Sequence, residues 1–412
     1  MIQKKDSKKS VYISTPFCHC ALRKIEATKL KNYFTVNNYE VVNTLEEADY
    51  HICITCAVTK VNVNNYLDFI KDAQKSPAEL IVMGCLPGTN PNDLDTVFKG
   101  KKVITKNINE IDNYFPGFTI KFHQVPEVYT YDTEAFHMFT NEIQNQTNLS
   151  LFLKYGFSKA YHRYQVRKRQ FDAFTEANKK NTTTPGFLQI SSGCANNCTY
   201  CNIREAIGKI KSKPIDSLTE EYRSLLQQGY RNFHFVTEDL CSYGLDINSS
   251  LGDLLNALSE VDKSYHVKWT LNGVNPSWIV QNHNTFESLF KSKIWEIMIA
   301  IESGSDRLIK LMNRHYKIHN VEKALISLRK INPGLKINAL FIVGFPSETD
   351  ADFEGTLHLF KSIGFDSVTL TDYSEFQNLA SANVYPKVSK DTMRKRRQQA
   401  KKTLNRLKTP LY

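Results

Sequence analysis

The segment Ser192-Gly193-Cys194-Ala195-Asn196-Asn197-Cys198-Thr199-Tyr200-Cys201 carries three thiols in the spacing C-x3-C-x2-C. Thiolates are the usual ligands of iron-sulfur clusters, and a [4Fe-4S] cubane held by four of them is coordinatively full. Three thiolates leave one iron without a protein ligand, and such an iron can bind a substrate. A structural zinc site instead calls for four donors, commonly as two C-x2-C pairs or with histidines close by. The spacing points to a cluster that takes part in chemistry.

Cys20, Cys56 and Cys85 each follow a short β-branched run, and Cys18 lies beside the first of them. Nine cysteines in a chain of 412 residues read as metal ligands and bystanders in a reducing compartment, and a disulfide framework is not expected. Cys53 and Cys241 read as ordinary buried thiols, since free cysteine is among the most buried residue types. The basic N-terminal run Met1 to Lys9 is followed by a strand-like stretch and no apolar segment, so neither a secretory signal nor a membrane association is expected. A cytoplasmic protein is. The formal charge of +11 suits an anionic partner such as RNA, although lysine-rich solvated surfaces are also common.

Something has to bring these thiols together. Between residues 11 and 106, runs at 11–15, 40–42, 50–55, 79–83 and 102–105 alternate with helical stretches, which implies a parallel α/β sheet. Such sheets gather ligand sites at the C-terminal ends of their strands, where Cys20, Cys56 and Cys85 would fall. A second series of strands is expected at 186–191, 232–236, 267–272, 295–301, 336–343 and 366–373. Six βα units make a partial (β/α)6 barrel, with the C-x3-C-x2-C segment on the loop after its first strand. The expected domains are an N-terminal parallel α/β sheet domain (1–115), a linker or insertion (116–185), the partial barrel (186–380) and a basic C-terminal tail (381–412). Within the linker, residues 154–171 interleave aromatic and basic side chains. That pattern fits single-stranded nucleic acid, or a helix with one buried aromatic and one solvated basic face. The tail segment 390–408 reads as a helix with a solvated basic surface or an RNA contact.

With Tyr200 just before its last cysteine, the three-thiol segment resembles the signature of radical S-adenosylmethionine enzymes. The whole chain resembles the methylthiotransferase branch, in which a methylthio group replaces hydrogen on an unactivated carbon. The resemblance rests on Cys20-Ala21-Leu22-Arg23, Ile54-Thr55-Cys56-Ala57-Val58 and Met83-Gly84-Cys85 in the first domain. In the barrel it rests on Val236-Thr237-Glu238-Asp239, Asn272-Gly273-Val274-Asn275-Pro276, Glu302-Ser303-Gly304-Ser305 and Ile342-Val343-Gly344-Phe345-Pro346. It implies one [4Fe-4S] cluster at Cys194, Cys198 and Cys201, and a second at Cys20, Cys56 and Cys85. Counting forward along the first helix selects Cys20 as the first ligand of the second cluster, and counting back to the first strand selects Cys18. For S-adenosylmethionine it implies contacts from Tyr200, from Glu238 to the methionyl amino group, from Glu302, Ser303 and Gly304 to the ribose, and from Ile342 and Gly344 beside the adenine.

The chain also departs from that family. Ile207-Gly208 stands where an Arg-Gly pair is usual, Leu340 where an aspartate is usual, and Phe376-Gln377-Asn378-Leu379 where an Arg-x-Gly-Thr stretch is usual. The terminal TRAM barrel of most members is not expected in the residues after the last strand. The acceptor that the resemblance favours is a tRNA adenosine next to the anticodon. A protein or ribosomally made peptide side chain is the alternative, and a non-enzymatic iron-sulfur protein a further one. An electron donor such as flavodoxin or ferredoxin and a sulfur donor are implied as partners.

Overall fold

In the computed structural model, the structure describes residues 8–18, 20–130 and 185–412. The chain divides into two units, Met1–Thr184 and Pro185–Tyr412. In the first, strands β1 (Ser10–Ser14), β2 (Glu40–Val41), β3 (Tyr50–Thr55), β4 (Glu79–Gly84) and β5 (Lys101–Ile104) form one parallel sheet in the order β2-β1-β3-β4-β5. Strands β3 and β4 are apolar along nearly their whole length and buried, as befits central strands covered on both faces. The chain leaves β1 toward β2 on one side and returns to β3 on the other. The loops after β1 and β3 therefore part at the switch point, the usual ligand crevice of such sheets.

The helix Ala21–Val36 buries Leu22, Ile25, Leu30, Tyr33 and Phe34, one stripe at helical spacing, against this sheet. Phe115 and Phe118 stack at 4.9 Å between centroids, and Phe118, Phe122 and Val125 join the same core. Residues of the expected linker thus pack in the first unit as far as Val125. The aromatic and basic run 154–171 lies outside the described residues.

The second unit has a six-stranded parallel sheet made of β6 (Gly186–Gln189), β9 (Asn232–Val236), β10 (Lys268–Val274), β11 (Ile294–Glu302), β12 (Lys336–Val343) and β13 (Ser367–Asp372), each beside its predecessor. Helices Ile215–Gln227, Leu251–Val261, Ile318–Ile331 and Asp350–Ile363 run between successive strands and bury apolar stripes. This is the expected six-fold βα succession, with ends displaced by one or two residues. Two short strands, β7 (Ser191–Ser192) and β8 (Lys211–Ser212), pair antiparallel and bracket the three-cysteine loop.

The C-terminal segment is built into this unit. The backbone of Pro410 and Tyr412 pairs with Val368 and Leu370 of the edge strand β13. The helix Lys390–Arg406 buries Arg396, whose Nη1 bonds Glu348 at 2.7 Å, and it presents Met393 to Gly344. Its outer face still carries exposed Lys395, Lys401, Lys402 and Arg406. Among the described residues no helix is long and apolar enough to cross a membrane.

His51 in β3 and His234 in β9 are held neutral because burial pushes both from 6.5 down to about 4. The unfolded chain takes up protons near pH 6.5, while the folded one resists until about pH 4. Stability is therefore full above pH 6.5 and is lost as pH falls toward 4, by on the order of 3 kcal/mol per histidine. His51→Gln is expected to flatten that acid limb in urea unfolding between pH 7 and 5, and an equally steep limb would contradict it.

Candidate functional site

The first unit brings four cysteines to one end of its sheet. After β1 the chain turns at Thr15-Pro16-Phe17-Cys18, where the Cys18 amide donates to the Thr15 carbonyl at 3.3 Å and Phe17 takes a left-handed φ of 58°. A non-glycine residue tolerates that conformation only when its surroundings hold it. The Phe17 ring is held edge-on by Tyr66 and Phe69, at 5.4 and 6.2 Å. Cys20 is half-buried and occupies the N-cap position of the helix Ala21–Val36, whose first turn carries Arg23 and Lys24, with Glu26 in the next. Cys56 follows β3 directly. Cys85 follows β4 after Gly84, where φ is +102° and a Cβ would lie 2.4 Å from the Thr55 carbonyl.

Cys18, Cys56 and Cys85 are buried. The Cys18 thiol donates to Cys56, and the Val58 amide and the Asn62 side chain add bonds to the same sulfur. These bonds hold Cys56 below its ordinary value and Cys18 above it. Burial pushes Cys85 up to about 12, and its sulfur lies 3.9 Å from Thr105 Oγ1. Buried Arg23 bonds Thr105 and, at 2.8 Å, Glu26, and its charge favours the thiolates of Cys56 and Cys85. Cys53 is an ordinary buried thiol, raised to about 12 by burial.

In the second unit, Cys194, Cys198 and Cys201 sit on the loop clamped by β7 and β8. Gly193 has φ +81°, and a Cβ there would meet the Lys209 carbonyl at 2.1 Å, so the loop needs glycine to close. The Cys194 amide donates to Gly208 O at 3.2 Å, and Asn196 directs its backbone N–H to Cys194 Sγ at 3.3 Å. Asp239 accepts from Asn196 and Ser242, and Ser242 Oγ accepts from the Ala195 amide at 3.2 Å. Burial pushes Cys194 up to about 12 and raises Cys201.

Glu238 accepts the Gly193 amide at 2.9 Å, so one of its oxygens holds the loop itself. Tyr200 is partly buried and bonds Glu302. Glu302 sits at φ +66° beside a register shift between β11 and β12, a local irregularity that re-aims its side chain. Burial raises the Glu302 carboxyl, opposed by Arg314 and the Tyr200 bond. Ser303 is fully buried, and at Gly304 a Cβ would lie 2.3 Å from backbone of Gly355 and Thr356, so a close approach of two elements accounts for this glycine. Gly344, at φ +82°, lies against Met393, and its amide donates to Glu348 at 2.7 Å. Ile342 is half-buried on the face of β12 opposite Phe341.

The sequence did not single out Arg314, Tyr316 or Asp239. Arg314 Nη1 reaches Cys198 Sγ at 3.6 Å, Nη2 bonds the Ala300 carbonyl at 2.9 Å, and Nε is buried without a partner among the described residues. Tyr316 donates to the Ile301 carbonyl at 2.8 Å. The available signal was a positive charge five residues into Lys310-Leu311-Met312-Asn313-Arg314, too common to read alone. A cavity of about 140 Å³ beside Cys198 and Cys201 is lined also by Asn197, Arg204, Asn313 and Asn378.

Both sites suit thiolate-bound clusters. Among the described residues no three His, Cys, Asp or Glu side chains converge on a point as a single ion would require. A cubane differs in that each thiolate binds a separate iron. None of the nine cysteines forms a disulfide. The Tyr66 hydroxyl, buried without a partner among the described residues, lies near Cys18, Cys56 and Cys85, and the Arg314 Nε lies near Cys198.

Residues 188–360 match the family described as the Radical SAM superfamily, and residues 11–105 match uncharacterized protein family UPF0004. A Thermotoga maritima protein named threonylcarbamoyladenosine tRNA methylthiotransferase MtaB is 35% identical over 195 residues, which span 46% of this chain and 44% of that protein. Ribosomal protein uS12 methylthiotransferase RimO of Geotalea uraniireducens is 26% identical over 400 residues, 94% of this chain and 80% of that one. The tRNA-2-methylthio-N(6)-dimethylallyladenosine synthase of Fervidobacterium nodosum is 27% identical over 372 residues, 86% of this chain and 74% of that one. In fold, the radical S-adenosylmethionine methyltransferase TsrM of Kitasatospora setae is similar at a TM-score of 0.59 and 13% identity, over 91% of this chain and 77% of that chain.

Gly193→Ala and Gly304→Ala are each expected to destabilise the second unit by about 2–4 kcal/mol, because the added methyl meets backbone that cannot yield cheaply. The check is the urea midpoint at unchanged m-value. A shift below about 0.5 kcal/mol at either glycine would contradict the contacts.

Proposed function

This chain belongs to the radical S-adenosylmethionine methylthiotransferases, and we propose that it replaces an unactivated C–H by C–S–CH3 on a tRNA adenosine next to the anticodon. The observation that carries the reading is the gathering of one cysteine set at the strand ends of each unit, Cys20, Cys56 and Cys85 in the first and Cys194, Cys198 and Cys201 in the second. A [4Fe-4S] cluster with S-adenosylmethionine, the pair this superfamily implies, supplies when bound a 5'-deoxyadenosyl radical able to take hydrogen from carbon. Cys20, Cys56 and Cys85 would hold a second cluster, which would supply a place for the sulfur.

Cys194, Cys198 and Cys201 would hold the first cluster, on a loop fixed by Gly193, Glu238 and Asp239. Arg314 directs positive charge at the Cys198 sulfur and at the buried Glu302 carboxylate, which favours an anionic thiolate and balances a buried charge. Tyr200, Glu302, Ser303, Gly304, Ile342 and Gly344 form the proposed S-adenosylmethionine wall. Of these, Glu302 is suited to accept from hydroxyl groups. In the first unit Arg23 offsets the negative charge of Cys56 and Cys85. The enzyme's contribution is to orient reactants and exclude water. An electron donor such as flavodoxin or ferredoxin and a sulfur donor complete the reaction.

A polyanionic acceptor is supported by the exposed cations of the helix Lys390–Arg406 and by the net charge of +11. A ribosomal-protein or peptide acceptor is the second reading. It is favoured by the alignment to the relative named for uS12, which spans 94% of this chain.

Mass spectrometry of bulk tRNA nucleosides from cells with and without the gene tests the acceptor. A methylthio-adenosine should disappear on deletion, whereas unchanged tRNA with a methylthio mass gain on a protein would move the assignment to the second reading. Separately, replacing Cys56 and Cys85 by alanine should preserve 5'-deoxyadenosine formation and cut methylthio product at least a hundredfold. Retained product would contradict the sulfur role of the first unit.

A further inference from the structure

Three thiols would complete the proposed site of the first unit, yet the structure gathers four. Cys18 ends the turn after β1, and Cys20 stands at the N-cap of the helix that follows. Cys20 is half-exposed, while Cys18 is buried, receives the Cys20 backbone bond and donates its own thiol to Cys56. This arrangement is specified by the backbone: left-handed Phe17, gripped by Tyr66 and Phe69, turns Cys18 inward. The Tyr66 hydroxyl points to a further polar group in the same place, for it is buried beside Cys18, Cys56 and Cys85 and bonds nothing among the described residues.

We infer that Cys18 is a displaceable fourth ligand of the first unit's cluster, closing at rest the iron that Cys20, Cys56 and Cys85 leave open, and yielding it to the incoming sulfur. This rests on the two-cluster reading above. The exchange swaps one sulfur donor for another at one iron, so no oxidation state changes. The proton of the incoming hydrosulfide or thiol passes to the departing Cys18 thiolate. Displaced Cys18 keeps a partner, because the neighbouring Cys20 amide donates to its sulfur. A closed resting cluster is guarded from losing its unprotected iron, a hazard that the half-exposed position of Cys20 would otherwise leave.

The test oxidises the anaerobically reconstituted full chain with ferricyanide and counts [3Fe-4S] spins by EPR, since a cubane with an open iron sheds that iron and one with four thiolates retains it. Iron before oxidation should be about eight per chain. The unmutated chain should then give about one spin, from the barrel, and Cys18→Ala about two at the same starting iron. If Cys18→Ala fails to fold by circular dichroism, Cys18→Ser carries the same expectation. Cys53→Ala, a cavity in the same sheet, should stay at about one. Two spins in the unmutated chain, an unchanged count in Cys18→Ala, or a rise in Cys53→Ala as well would overturn the assignment. Loss of about four irons in Cys18→Ala would also overturn it, making Cys18 an obligatory ligand. About four irons in the unmutated chain would instead remove the two-cluster reading, which the iron analysis reports before any EPR.

Discussion

Parallel strands end on one edge of a sheet, and the loops that leave that edge can converge while the strands themselves stay buried. A buried thiolate is costly unless cations, hydrogen bonds or a metal compensate it. Both units meet this constraint in the same way. The cysteines stand on loops just past the strand ends, and compensating groups meet them there: Arg23 and Asn62 from the helices that follow in the first unit, and in the second the Asn196 amide of the same loop and Arg314 from a distant segment. The tight backbone positions at Gly84, Gly193 and Gly304 follow from it, because loops drawn this close leave no room for a Cβ.

The strands were legible because short runs rich in β-branched and other apolar residues, such as Tyr50–Thr55 and Lys336–Val343, stand between helical stretches, and their order followed from that alternation. The position of Cys56 and Cys85 past β3 and β4 was legible for the same reason. The choice between Cys18 and Cys20 was not, because counting along a chain cannot register a left-handed Phe17, and the structure brings both thiols to the site. Contacts between distant segments were equally silent: Arg314 with Cys198, Phe118 with Tyr33, Arg396 with Glu348. Some residues that motif likeness named also hold the frame. Glu238 holds the Gly193 amide, Gly304 admits Gly355, and Gly344 admits Met393.

Helix Lys390–Arg406 shows how one element serves two ends. Its buried Arg396 bonds Glu348, which also accepts the Gly344 amide, so the loop after β12 is braced from outside the sheet. Its other face keeps its lysines in water. This basic helix is therefore no mere solvated tail, since buried Arg396 fixes where its exposed cations stand.

The account stands or falls on two clusters held at the two sets of strand ends. Diffraction from crystals of the anaerobically loaded chain, recorded across the iron absorption edge, locates iron directly. The account predicts two anomalous peaks of cluster size, one enclosed by Cys194, Cys198 and Cys201 and one by Cys20, Cys56 and Cys85 with Cys18 at its fourth side. A single peak in the second unit, with the cysteines of the first unit free of iron, would contradict it.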